Sequence, residues 1–195
     1  MLTKIKNVLP GDDVPSNGSK SLGIHGTKAT IVGTLCKTSN HLFVVSKTNR
    51  YHPCIDDIVI GKAILTSQDM HRIDLGGVVG ALPSLSFTNA TKRNKPEINK
   101  GDYLLCKIAR TGTEPLLTCV GEGFGKLSGV VLPLEPWKVR LLYLSTTLAT
   151  IGKKYRFRIA LGLNGFVWID AEKDTDIRDI YHLLSEDSKL EFPNP

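Results

Sequence analysis

The chain has 195 residues, 41% hydrophobic and 23% charged, which is enough apolar material for one or two cores or a few small modules. Its net charge of +6 and pI near 9.1 suit either attraction of a polyanion or simply a solvated, soluble surface. No run approaches the roughly 18 apolar residues of a membrane span, and the opening MLTKIKNVLPGDD lacks the sustained apolar stretch of a secretory signal, so neither a membrane partner nor secretion is expected.

Residues 1–52 read as a small β domain. Ala29 to Cys36 alternates weakly and Leu42 to Val45 is a second apolar run, with Ser39-Asn40 suited to the turn between them and a Gly/Ser-rich loop over 16–26. Residues 53–125 carry five short candidate strands: Ile58–Leu65, His71–Leu75, Val78–Leu82, Tyr103–Arg110 and Leu116–Val120. Gly76-Gly77 and Gly112 mark turns, and Leu104, Cys106 and Ile108 alternate with Leu105 and Lys107 as a half-buried strand would. This spacing predicts a small closed barrel of the OB type, interrupted by a long insertion from Ser84 to Lys100.

In residues 126–195 the period changes. Leu134, Trp137, Leu141, Leu144 and Leu148 fall on one helical stripe, with Pro136 suited to the first turn and Gly152 to the stop. Tyr155, Phe157, Ile159 and Leu161 then alternate with Arg156 and Arg158, predicting a strand. The segment Gly162-Leu163-Asn164-Gly165 reads as a hairpin turn, since Asn and Gly both tolerate positive φ. Asp174 or Thr175 can cap a last helix whose stripe is Ile177, Ile180, Tyr181 and Leu184. The fold class is therefore multidomain and mostly β with an α+β layer: an N-terminal β domain, an OB barrel, and a helix–strand–strand–helix unit.

Motifs for catalysis are not found. Gly121-Glu-Gly123-Phe-Gly125-Lys126 follows a strand, but its spacing is wrong for a phosphate loop and Leu127 stands where Ser or Thr is required, so it reads as a flexible link. Asn99-Lys-Gly-Asp102 reads as a turn before a strand. The cysteines at 36, 54, 106 and 119 form no close ligand pair, and Cys106 and Cys119 read as small buried hydrophobes. The five histidines show no H-x-x-x-H pair. No catalytic residue, metal ion or cofactor is expected.

The basic residues are more informative. The sector 126–158 carries a net +6 and 1–52 a net +5, whereas 53–125 is neutral and 159–195 carries −5. Lys92, Arg93 and Lys95 sit in the long insertion between barrel strands, where they would neutralise phosphates of a single strand or form a solvated loop. His71 and Arg72 lie on a central strand and would reach bases or phosphates, with a core-facing His71 as the other reading. Arg156 and Arg158 on one strand face make a second phosphate track or pair with the acidic last helix. In Gly162-Leu163-Asn164-Gly165 the variable position is a leucine, better suited to packing than to a phosphate, so the motif reads as structural.

Four stretches in this order resemble the RNA-binding cap subunits of the eukaryotic RNA exosome, in particular the ribosomal RNA-processing protein forty type. They are Gly23-Ile-His25-Gly26-Thr27; Tyr51-His-Pro53 with Asp57-Ile-Val59-Ile60-Gly61; Ala90-Thr91-Lys92-Arg93-Asn94-Lys95-Pro96; and Gly162-Leu-Asn164-Gly165 with Val167-Trp168-Ile169. Asp56 departs from the glycine usual before Asp57. The resemblance implies an N-terminal β domain, an S1 domain and a KH domain in a non-catalytic subunit. Such a subunit would sit with other cap subunits on a ring of RNase PH-like proteins, in nucleus, nucleolus and cytoplasm, and help admit single-stranded RNA. The alternative is a free-standing S1/KH factor in translation or ribosome assembly. Bacterial polynucleotide phosphorylase also carries both domains, but in the reverse order and with catalytic domains missing here.

Overall fold

The computed structural model describes residues 3–15, 23–37, 42–47 and 50–185. The expected Ser39-Asn40 turn and most of the 16–26 loop lie outside these residues. The N-terminal unit contains β1 (Thr3–Val8), a short hairpin of β2 (Ile24–His25) and β3 (Lys28–Ala29), β4 (Gly33–Lys37) and β5 (Leu42–Val45). β1, β4 and β5 form an antiparallel sheet in that order over a core of Val8, Val14, Ala29, Leu35, Leu42 and Val44. The run expected as one strand from Ala29 is two, and β1 is a strand that the pattern did not reveal. Its side chains from Thr3 to Asn7 are all exposed, so it carries no apolar alternation.

The central unit is a closed five-stranded barrel. Its strands are β6 (Ile58–Thr66), β7 (Met70–Asp74), β8 (Val79–Pro83), β9 (Tyr103–Arg110) and β10 (Leu116–Thr118). They run in the order β10-β8-β7-β6-β9, and β10 pairs back onto β9 to close the cylinder. Strand boundaries agree with the expected ones to within two residues. Along β9, Leu104, Cys106 and Ile108 are fully buried and join Val59, Ile73, Leu82 and Leu117 in one core. Cys106 and Cys119 are both buried free thiols, their Sγ atoms 3.3 Å apart. The glycine-rich segment expected as a flexible link is partly ordered by pairing: Gly125–Leu127 forms β11 on the outer edge of β9. Asn99 to Asp102 makes the expected turn, with the Asn99 N–H donating to Asp102 Oδ2 at 2.8 Å.

The C-terminal unit is a three-stranded sheet under helices. β12 (Val130–Pro133) leads into α1 (Pro136–Leu144) and α2 (Thr147–Gly152), followed by the hairpin β13 (Phe157–Gly162) and β14 (Phe166–Ala171) and then α3 (Asp174–Ser185). Sheet order is β12-β14-β13, all antiparallel. The single helix expected up to Gly152 is broken at Ser145, whose backbone is extended (φ −99°, ψ 164°). The expected stripe is kept in part, with Leu134 and Leu141 buried. Val139 and Leu142 enter the core, whereas Trp137 is only half-buried, with Lys47 Nζ of the N-terminal unit 5.1 Å from its ring centroid. A helix with apolar residues on every side gives no unique stripe. In α3, Ile177, Ile180 and Leu184 are buried as expected, and Tyr181 donates its hydroxyl to Pro133 O at 2.7 Å.

Asp56, where the resemblance leads to the expectation of glycine, fits the backbone it occupies. Its φ is +70°, the left-handed region, and aspartate is among the few non-glycine types that adopt it. Its N–H donates to Ile108 O at 2.9 Å and its carboxylate meets Lys107 Nζ at 2.7 Å. Asp56→Val is expected to lower the unfolding free energy in urea titrations by about 1–2 kcal/mol, the cost of a left-handed β-branched residue, while Asp56→Gly stays within about 1 kcal/mol of the parent.

Candidate nucleic-acid interface

The long insertion of the barrel is pinned along its length. Cys119 N–H donates to Ser86 O at 2.7 Å, and Thr88 Oγ1 both donates to Gly121 O (3.1 Å) and accepts from Gly121 N–H (2.9 Å). Phe87 and Ile98 bury their side chains in the barrel core. At the far end, Thr91 and Asn94 exchange two backbone hydrogen bonds, 3.0 and 3.1 Å, which closes a tight turn. Lys92 and Arg93 are its two central residues. Both are exposed, and neither has an ion-pair partner among the described residues. A fixed turn presents the two cations with little backbone entropy left to lose on contact with a polyanion.

Three of the other expected cations, Lys95, Arg72 and Arg158, are engaged. Lys95 donates to Gln68 O at 2.5 Å and pairs with Asp69 at 3.2 Å, so it fastens the insertion to the β6–β7 turn. Arg72 projects outward from β7 and pairs with Glu114. Arg158 makes bonds from Nε and Nη2 to Asp170 Oδ2 on the neighbouring strand and stacks 5.7 Å from the Trp168 ring centroid. The pairing considered for Arg158 was with the acidic last helix; the register places it opposite Asp170 of β14 instead. Arg156 lies exposed one residue before β13 and shares an open groove of about 830 Å³ with Arg158, Asp170 and Glu172, a mixed-charge lining.

His71 faces inward. Only 4% of it is exposed, its Nε2 lies 3.0 Å from Ser84 Oγ, and its Nδ1 has no partner. Burial, and secondarily the Lys95 ammonium, hold its pKa below the ordinary histidine value. Of the two readings for this residue, the structure places it on the core side of β7. Ser84, its partner, gave no signal in the sequence because a lone serine after a strand is unremarkable in a loop.

Gly162-Leu163-Asn164-Gly165 closes the β13–β14 hairpin, with Gly165 N–H donating to Gly162 O at 2.9 Å. Only Gly165 takes positive φ (+89°), so the turn does not use Asn164 as the sequence suggested. The asparagine is 6% exposed and reaches into the barrel instead. Its Oδ1 accepts from Ile60 N–H (3.1 Å), and its Nδ2 donates to Ile60 O (2.7 Å) and Leu75 O (2.9 Å). Leu163 N–H donates to Ile58 O at 2.9 Å. A side chain at Gly162 would sit 2.5 Å from Asn164 Oδ1 and 2.7 Å from Ile60 N, so only glycine fits. The motif thus joins the C-terminal unit to β6, and its backbone offers no open cradle for a phosphate.

Comparison with known proteins agrees with this architecture. The sequence profile of the S1 domain of exosome complex component RRP40 matches residues 51–130, and a KH domain profile matches 129–175. The chain is 32% identical over 185 residues to a Dictyostelium discoideum protein described as an exosome complex component rrp40, covering 84% of this chain and 78% of that one. The chain belongs to the exosome complex component Rrp40 family. It is also 32% identical to the Schizosaccharomyces pombe exosome complex component rrp40, a match covering 68% of this chain and 61% of that protein. For the Mus musculus relative the figures are 34% identity, 67% and 52%. A crystal structure described as an exosome complex RNA-binding protein shares the fold with a TM-score of 0.60 at 24% identity, covering 71% of this chain and 87% of that one. The expected S1 barrel followed by a KH layer is therefore the family architecture.

Two stability measurements check this site. Asn164→Ala leaves three buried backbone groups of β6 and Leu75 without partners and is expected to cost roughly 3 kcal/mol or more in urea unfolding. For His71, the unfolded chain binds a proton below about pH 6.5 and the folded chain does not. Stability is therefore intact above that pH, falls as pH drops towards the lower folded pKa, and levels off beneath it. Urea midpoints from about pH 7.5 to 5 should show this decline, and His71→Phe should flatten it.

Proposed function

We propose that the chain is a non-catalytic, RNA-binding cap subunit of the RNA exosome, helping to admit single-stranded RNA to a ring of RNase PH-like subunits for 3′–5′ processing and degradation. Its partners are those ring subunits, other cap subunits and RNA, and its place is the nucleus, the nucleolus and the cytoplasm. The observation that carries the reading is the Lys92–Arg93 turn, held on a member of the Rrp40 family by contacts at both ends of the insertion. Family membership favours this over a free-standing S1/KH factor. The experiment is affinity capture of the tagged chain: recovery of an RNase PH-like ring supports the reading, and recovery of ribosomal subunits alone refutes it.

Most of the affinity for RNA is electrostatic, from phosphate contacts. With about three phosphates engaged, log K should fall against log salt with a slope near −2, at roughly 0.7 per contact on single strands. Lys92 and Arg93 supply two unpaired charges, so the double substitution to alanine should make the slope shallower by about 1.4. The Arg72 and Arg158 substitutions, each removing an already paired cation, should change it much less. Fluorescence anisotropy with a labelled oligonucleotide over a salt series measures these slopes, and a slope unchanged by the double substitution contradicts the assignment.

A further inference from the structure

Beside the cationic turn, the barrel carries a groove of about 490 Å³, within the roughly 300–1,000 Å³ of small-ligand sites. Its lining includes His71, Ser84, Lys95, Pro96, Glu97 and Ile98. The composition is unusual for the end of a barrel. His71 and Ser84 are a buried polar pair, 4% and 2% exposed, and His71 Nδ1 is a buried polar atom with no partner, a condition that costs free energy unless something fills it. Pro96 and Ile98 supply apolar wall. Lys95 uses contacts to Gln68 O and Asp69, so an ammonium with three N–H groups keeps one donor to give. Glu97 is an exposed carboxylate, an acceptor without an ion-pair partner among the described residues. Lys95 follows Arg93 by two residues, about 7 Å of chain at most. A strand whose phosphate meets the turn therefore has a base within reach of the groove.

We propose that this groove receives one nucleobase of the bound strand and favours a base with a carbonyl next to a ring N–H, uracil or guanine. The inference rests on the RNA-binding reading above. Lys95 donates to the carbonyl, the Glu97 carboxylate accepts from the ring N–H, and the base lies against Pro96 and Ile98. Adenine and cytosine present a bare ring nitrogen at the same position, and its lone pair faces the carboxylate. The buried His71–Ser84 pair forms the floor of the groove beneath the base.

The test uses the full chain and two labelled strands of equal length and charge, oligouridine and oligo-N3-methyluridine. Methylation removes the ring N–H and leaves every phosphate in place. The chain should bind oligouridine about fivefold more tightly or better, the low end of what a paired base edge contributes. Glu97→Ala, at an exposed position where folding is not at stake, removes the acceptor and should bring the ratio below about twofold. Loss of the carboxylate strengthens binding of both strands together, so the ratio is the readout. Equal affinity of the parent chain for both strands, or a ratio untouched by Glu97→Ala, overturns the groove assignment while a salt slope that responds to Lys92 and Arg93 keeps the RNA reading intact. Absence of salt-dependent binding to either strand overturns both.

Discussion

The carboxamide of Asn164 supplies the hydrogen bonds of a missing strand residue. β6 meets β9 from Ile58 onward but meets β7 only from Lys62, so Ile60 shows an N–H and a carbonyl on an edge that no barrel strand covers. Buried backbone groups left in that state are costly. One amide, with an acceptor and two donors, satisfies Ile60 on both counts and takes Leu75 O as well. Its reach depends on glycine at 162, on the left-handed glycine at 165, and on Leu163 closing to Ile58. The KH layer is thus hydrogen-bonded to the barrel as another strand would be.

That attachment bears on the proposed role. A collar for a threading polyanion needs its charges held at fixed positions relative to whatever it is mounted on. The insertion bearing Lys92 and Arg93 is tied to β10 and the adjoining glycine segment by Thr88 and Cys119, and to the β6–β7 turn by Lys95. Lys95 gives up its freedom to fasten the loop, while Lys92 and Arg93 keep theirs. The same anchoring shapes the groove in which His71 and Ser84 lie.

The parts legible in the sequence were those where burial repeats with a period. β9 alternates because one face fills the barrel, and α3 carries a single stripe because one face packs on the sheet. β1 was hidden because five of its six side chains are solvated, and β11 and β12 because strands of three and four residues carry too few side chains to show a period. α1 and α2 looked like one helix because nothing in Leu144-Ser145-Thr146 is a strong breaker; at the break, the Ser145 N–H donates to Leu142 O and its Oγ lies 2.9 Å from Thr147 Oγ1. For the candidate site, the cations were visible in the sequence, but which of them are engaged depends on Asp69 for Lys95, Glu114 for Arg72 and Asp170 for Arg158, acids that the local pattern does not reveal. The motif at 162–165 was readable as a turn, yet the target of its asparagine, 104 residues away, was not.

Native-state hydrogen exchange at the Ile60 and Leu163 amides tests the coupling most directly. If the asparagine clasp makes barrel and KH layer one cooperative unit, both amides exchange only through global unfolding, with the same urea dependence as the core amides of Ile108 and Val167. Exchange at Ile60 and Leu163 that is fast and insensitive to urea, while Ile108 and Val167 stay protected, would mean that the two units part freely and that the clasp is not what holds them.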